Sequence, residues 1–252
     1  MTRPFPFDAR AYYYHYGARR SVAPIVGAFS PLALAPHAWY DPSDLSTLFQ
    51  DAAMTTPVTA NNDPVGAILD KSGNSRHLTQ STAGSRPLYK TSGGLHWLET
   101  DGSDDYIGVL FALAQPIDRV SAWRFLEAAG QTGALVTSTP DSFVQLYITA
   151  GELRIYAGTE LSGLAQPAQN VDFVATERFN GVSSRVAIDN GSYNAADAGA
   201  SASAGIGIGN NGALSDPATC RFYGLTQRGT VFTDAEIAQL RTYYGVKQGR
   251  AL

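Results

Sequence analysis

Tyr147 and Tyr156 stand at alternating positions of the stretch FVQLYITAGELRIY (143–156), with Gln145 and Arg154 beside them. These residue types suit sugar recognition. An aromatic ring packs on the apolar C–H face of a pyranose, while planar amide and guanidinium groups hydrogen-bond its hydroxyls. Arg185, from a later strand, is expected to project onto the same polar side. The competing reading is a face covered by a second layer: a terminal arm, a loop or another subunit. A second candidate set is acidic. Asp101, Asp104 and Asp105 offer the hard oxygen donors that Ca²⁺ takes. The same residues also read as an Asp-Gly turn followed by an edge strand blunted with charge. Asp70, Asn74 and His77 suggest a metal loop, although their spacing matches neither an EF-hand nor a zinc site. The alternative there is a surface turn in which Asp and Asn bond their own backbone.

Other chemistry lacks its residues. The chain holds no Gly-x-Ser-x-Gly elbow, no His-Glu-x-x-His and no phosphate-binding P-loop. His15, His37, His77 and His96 are scattered and without evident partners. Cys220 is the only cysteine, which excludes an intrachain disulfide and reads as a small buried residue of a strand. A protein that is not an enzyme and carries no cofactor is the expectation.

The elements that must position these residues are strands. In 143–156, Val144, Leu146 and Ile148 alternate with Gln145 and Tyr147. After a turn at Ala150-Gly151-Glu152, Leu153 and Ile155 alternate with Arg154 and Tyr156, so a hairpin with one apolar and one polar face is predicted. The stretch 178–210 repeats the theme. Ser184, Val186 and Ile188 form the drier face of a strand, and Asp189-Asn190-Gly191 supplies tight-turn chemistry. GIGIG (205–209) reads as a strand lying close to a neighbouring backbone. Further strands are predicted at 65–69, 119–126, 134–137, 171–178 and 219–226, and two more within 95–109, joined by the acidic Gly turn. Trp39, Tyr40, Phe222 and Leu225 are candidate core residues, and Asp41-Pro42-Ser43-Asp44 is a turn entering a short helical turn. One helix is predicted near the C-terminus. Thr233-Asp234-Ala235-Glu236 is a capping box, Ile237, Leu240 and Tyr244 share one face, and Gly245 is read as the stop. This helix is expected to plug an edge or end of the sandwich.

Composition agrees with a turn-rich all-β protein. Only 16% of the 252 residues are charged, and Gly (25) and Pro (13) are plentiful. The net charge of −4, without a basic run, leaves no electrostatic footprint for nucleic acid. No apolar run is long enough to span a membrane, and MTRPFPFDAR lacks the apolar core of a signal peptide. Residues 1–36 differ from the rest. Five prolines interrupt them, and Tyr12, Tyr13, Tyr14 and Tyr16 cluster near Arg19 and Arg20. This reads as an attachment or oligomerisation arm, or as a strand pair folded back on its own domain, ahead of a domain at 37–252.

Several stretches together resemble a family. APHAWYDPSDLSTLFQD, VGAILDKSGNSRHLTQSTAGSRPLY, LHWLETDGSDDYI, FNGVSSRVAIDNG with DAG and IGIGNN, and FYGLTQRGTVFTDAEIAQLRTYYGVKQG look like the concanavalin A-like lectin/glucanase sandwiches (laminin-G-like jelly rolls) of bacteriophage and prophage virion proteins. The resemblance covers roughly residues 36–249. It implies two packed antiparallel sheets in an antiparallel jelly-roll β-sandwich. It also implies a place in a tail fibre, baseplate or head spike, with host surface polysaccharide and other virion proteins as partners, and a homo-oligomer. The glucanases of that superfamily place a second Glu after Glu-x-Asp. Here Glu99-Thr100-Asp101 is followed by Gly102-Ser103 and the second Glu is missing. The expectation is a virion protein that binds cell-surface carbohydrate without cleaving it; the alternatives are a decoration protein of the same fold with no ligand and, third, a glycan-cleaving enzyme with an unconventional site.

Overall fold

The computed structural model describes residues 29–128, 130–139, 144–210 and 215–252. In chain order the strands are β1 (Ala38–Tyr40), β2 (Leu48–Phe49), β3 (Ala67–Ile68), β4 (Leu78–Thr79), β5 (Leu88–Ser92), β6 (Leu95–Glu99), β7 (Ile107–Leu113), β8 (Ile117–Phe125) and β9 (Gly133–Thr137). They continue with β10 (Gln145–Thr149), β11 (Glu152–Tyr156), β12 (Glu160–Ala165), β13 (Asp172–Phe179), β14 (Arg185–Ile188), β15 (Asn194–Ala195), β16 (Ser203–Ile208) and β17 (Cys220–Arg228). Among the described residues one α-helix, α1, spans Asp234–Lys247. The strands form two antiparallel sheets. One runs β15-β14-β13-β8-β17-β6-β5 with β1 also on β17; the other runs β12-β11-β10-β9-β16-β7-β4-β3-β2. The all-β sandwich expected from the alternating patterns is therefore present.

The interior follows from those patterns. Trp123, Phe125, Phe173, Phe179 and Phe222 point in from the first sheet. Leu135, Leu146, Ile148, Leu153, Ile155, Ile206 and Ile208 meet them from the second. Tyr40 and Leu225 are fully buried, as expected, and Trp39 nearly so. Cys220 is buried too, and burial pushes its thiol up to about 12. The turn at 41–44 enters a single 3-10 turn, Leu45–Thr47, whose N-cap is Asp44.

Four expectations change. First, α1 does not plug an end of the sandwich. It lies across β8, β13 and β17, and Ile237, Leu240 and Tyr244 close over Trp97, Val120, Ala122, Val174 and Tyr223. The outer face of this sheet is apolar as well, so it requires a third layer. Second, the helix runs past Gly245 to Lys247. A Cβ at Gly245 would stand 3.0 Å from Leu252 Cγ, so that glycine serves packing. The left-handed position is Gly249, at φ 71°. Third, the two strands within 95–109 lie in different sheets, so the acidic turn between them crosses the sandwich; β7 lies between β16 and β4 and is no edge strand. Fourth, the turn at 71–74 does more than bond its own backbone: Asp70 is buried, His77 half-buried and Asn74 exposed. Asp70 Oδ1 accepts from the backbone N–H groups of Trp39 and Ser72, and His77 Nδ1 accepts from Asp70 N–H. Asn74 Nδ2 donates to the Pro36 and His37 carbonyls, which ties this loop to the start of β1.

The GIGIG strand, β16, lies between β9 and β7. A Cβ at Gly205 would stand 2.1 Å from Val109 O, the close backbone approach its sequence suggests. Of the predicted N-terminal arm, Tyr12, Tyr13, Tyr14, Tyr16, Arg19 and Arg20 lie outside the described residues. Phe29 and Leu34 pack against the cluster beneath α1.

Candidate functional site

The hairpin forms as its pattern demands. Ala150 and Gly151 both adopt positive φ, 52° and 79°, giving the two-residue turn whose twist matches the flanking strands. This sets the register Gln145↔Tyr156, Tyr147↔Arg154 and Thr149↔Glu152. Leu146, Ile148, Leu153 and Ile155 are fully buried in the interior. Gln145, Tyr147, Arg154 and Tyr156 are thereby brought together on the outer face, each partly exposed. Helix α1 lies on the opposite sheet.

A third strand completes the site. β12 pairs with β11 in the register Tyr156↔Glu160, which puts Glu160 on the same outer face, while its neighbour Leu161 turns inward and is buried. The Tyr147 hydroxyl donates to Glu160 Oε2 at 2.5 Å. Because β10 and β12 flank β11 at about 4.8 Å per strand, the Tyr147 side chain must lean across β11 to make this bond. Arg154 lies between two carboxylates: Nε donates to Glu152 Oε2 at 2.9 Å and Nη1 to Glu160 Oε1 at 2.6 Å. The Gly163 N–H also donates to Glu152 Oε2, at 3.1 Å. Burial, with the neighbouring Glu160, pushes the Tyr147 hydroxyl up from its ordinary value. The hydrogen bond from Tyr147, followed by Arg154, holds the Glu160 carboxyl below its usual range. The face therefore presents two aromatic rings, a guanidinium fixed by two carboxylates, and an amide.

Glu152 and Glu160 were not legible as site residues. Glu152 reads as part of a turn, and β12 has a weak pattern because Gly163 interrupts it. Only the alternation of Glu160 with Leu161 hints at an outward carboxylate beside a strand. Arg185 does not join this face. It lies on β14 in the other sheet, 3.9 Å from the Tyr193 ring centroid, and donates to Asp234 Oδ1 at 3.1 Å. Strand alternation places a side chain on a face, but the sheet its strand enters decides which face that is.

Further along the same sheet, the Tyr106 ring lies over Gly108 and Gly207, where an added Cβ would approach it to 2.3 and 2.5 Å. It borders a cavity of about 270 Å³ with Thr79, Val109, Leu110 and Thr139. A larger and mostly apolar cavity of about 570 Å³ lies between Phe29 and the exposed side of α1, at Ala238, Thr242, Tyr243 and Val246.

The acidic residues are engaged by the protein itself. Asp101 Oδ1 accepts from Ser103 N–H, Asp105 Oδ2 from Asp101 N–H, and Asp104 Oδ2 from the Ser85 hydroxyl. Burial, and then the Asp101 charge, raise the Asp105 carboxyl to about 6. Among the described residues, no three carboxylate, His or Cys side chains converge as a metal would need. His77 and His96 do have partners: Asp70 N–H donates to His77, and the Tyr89 hydroxyl lies 2.6 Å from His96 Nδ1.

No family model matches the chain, and no curated protein matches it. Its fold does match solved structures. One is botulinum neurotoxin type C, whose cell entry depends on interaction with two ganglioside molecules (TM-score 0.53, 10% identity, 74% of this chain and 51% of that one). Another is the binding domain of Paraclostridial Mosquitocidal Protein 1 (TM-score 0.53, 14% identity, 70% and 49%). A third is Trypanosoma rangeli sialidase with the inhibitor DANA (TM-score 0.50, 13% identity, 73% and 31%). The chain thus spans about half or less of each, and at these identities the likeness is one of fold.

Proposed function

We propose that this chain is a carbohydrate-binding module without enzymatic activity, and that its glycan site is the outer face of β10, β11 and β12. The observation that carries this reading is Tyr147 laid across β11 with its hydroxyl held by Glu160, beside Tyr156 and the fixed Arg154. A ring held along a sheet is an ordered stacking platform, so little side-chain entropy remains to be lost when a sugar settles on it. Fixed polar groups around it supply direction. The matched folds lend support at the level of the scaffold alone, since one belongs to a toxin that engages gangliosides and another to a sialidase; their ligands are not carried over to this face. The non-enzymatic reading rests on the missing second Glu after Glu99-Thr100-Asp101 and, at this face, on how Glu160 is paired. A general acid for glycoside cleavage needs a raised carboxyl, whereas Glu160 is held down and shares Arg154 with Glu152. The setting on a phage particle, with host polysaccharide as the target and residues 1–36 as the attachment or oligomerisation segment, rests on the sequence resemblance. In that setting several copies per particle would raise avidity without new contacts.

The test is binding of the full-length protein to polysaccharides extracted from candidate bacterial hosts. Tyr147→Ala and Tyr156→Ala are each expected to weaken binding by roughly tenfold, about 1.4 kcal/mol. Binding that ignores both substitutions would move the site elsewhere on the molecule. A folded protein that binds no extract would sink the carbohydrate reading, and release of reducing ends would sink the non-enzymatic one.

A further inference from the structure

The charges on this face specify which glycans it takes. We infer that the β10–β12 face selects neutral, hydroxyl-rich sugars and rejects sialylated, uronate or sulfated ones; the inference rests on the proposed site. Arg154 is the only lysine or arginine between residues 133 and 165, the stretch that supplies β9 to β12. It is already bound to two carboxylates, Glu152 at 2.9 Å and Glu160 at 2.6 Å. Among the described residues of these strands, two negative charges against one positive leave the face with an excess of one negative charge. The cation that could have received an anionic sugar from a neighbouring strand, Arg185, lies on the other sheet and is paired with Asp234. Hydrogen-bond chemistry points the same way. An ionised carboxylate is an acceptor only, with about four lone-pair sites. Two of those on Glu160 are used, by Tyr147 and Arg154. The remaining capacity calls for donors, and a sugar hydroxyl is a donor whereas a sugar carboxylate or sulfate is not. An acidic sugar on this face would meet like charge and acceptors turned toward acceptors. Tyr147 cannot relieve the mismatch, because its hydroxyl proton already points to Glu160.

The experiment uses the full-length protein on an array carrying neutral host-type oligosaccharides, each beside its sialylated or carboxymethylated form, at low and at 0.5 M salt. Every acidic form is expected to bind at least tenfold more weakly than its neutral parent, with the gap narrowing at high salt. Glu152→Gln and Glu160→Gln, checked for folding by thermal melting, are each expected to narrow the gap several-fold even if Glu160→Gln also lowers overall affinity. Equal or tighter binding of acidic forms that Tyr156→Ala abolishes would overturn this inference while keeping the site. No binding to any array member by the folded protein would overturn the proposed function, and this inference with it.

Discussion

Glu177 has no exposed surface, yet it points into the sandwich interior from β13. Arg119, directly opposite on β8, donates to it through Nε at 2.8 Å and also through Nη2. Ser121 Oγ donates to its other oxygen, and Trp123 Nε1 donates to Ser121 Oγ. Burial raises the Glu177 carboxyl, and Arg119 opposes that rise. Truncating one partner of such a pair leaves an uncompensated buried charge. Glu177→Ala should therefore cost about 3–5 kcal/mol in chemical denaturation. Replacing both residues with apolar ones should cost clearly less, and an equal loss in the double variant would show that the pair itself is not the source. Asp105 supplies a pH signature. Its folded-state carboxyl, at about 6, lies above its ordinary value, so the folded chain binds this proton more tightly than the unfolded chain. The stabilising contribution is full below the unfolded value of about 4 and is lost as the pH rises through about 6. Asp105→Asn keeps an acceptor for the Asp101 N–H. It should flatten stability between pH 4 and 6 and match or exceed the parent at pH 7; an unchanged pH profile would contradict the raised value.

At the scale of elements, the hairpin and its third strand set the site. Ala150 occupies a left-handed position at φ 52° that costs an L-residue with a Cβ, and Asn tolerates it better. Ala150→Asn should stabilise the protein by about 0.5–1 kcal/mol without altering sugar binding. A loss of stability in thermal melting would mean that the turn is not of this type. The polar positions of the hairpin were legible because period-2 alternation is local. Glu160 was not, because its place depends on β12 pairing with β11 through a register shift near Gly163. The end of α1 departs from its local signal for a related reason. Gly245 looks like a stop, yet the close approach of Leu252 and the Arg250 carbonyl, and not backbone conformation, favours a small residue there.

At the scale of the molecule, the described residues form three layers and two apolar clusters, one between the sheets and one beneath α1. Leu240 is fully buried in the second cluster. Leu240→Ala should cost about 2–5 kcal/mol, the range for a core cavity. If α1 were a loosely held terminal element the loss would be under 1 kcal/mol, and urea denaturation distinguishes the two. The layering also allots roles to the outer faces. One sheet spends its outer face on α1, while the other keeps the outer face of β10–β12 for polar groups.

The amino-acid sequence by itself determined the class of fold, the hairpin with its apolar and polar faces, the capping box of α1 and the burial of Cys220. Each rests on residues near one another in the chain, through alternation, turn chemistry or capping. The tertiary structure alone decided which sheet each strand joined. It sent Arg185 to the sheet opposite the candidate site, brought Glu160 across β11 to Tyr147, and placed α1 on a sheet face. Strand pairing and layer packing depend on burying the apolar faces of the whole chain at once, and no local pattern encodes that choice.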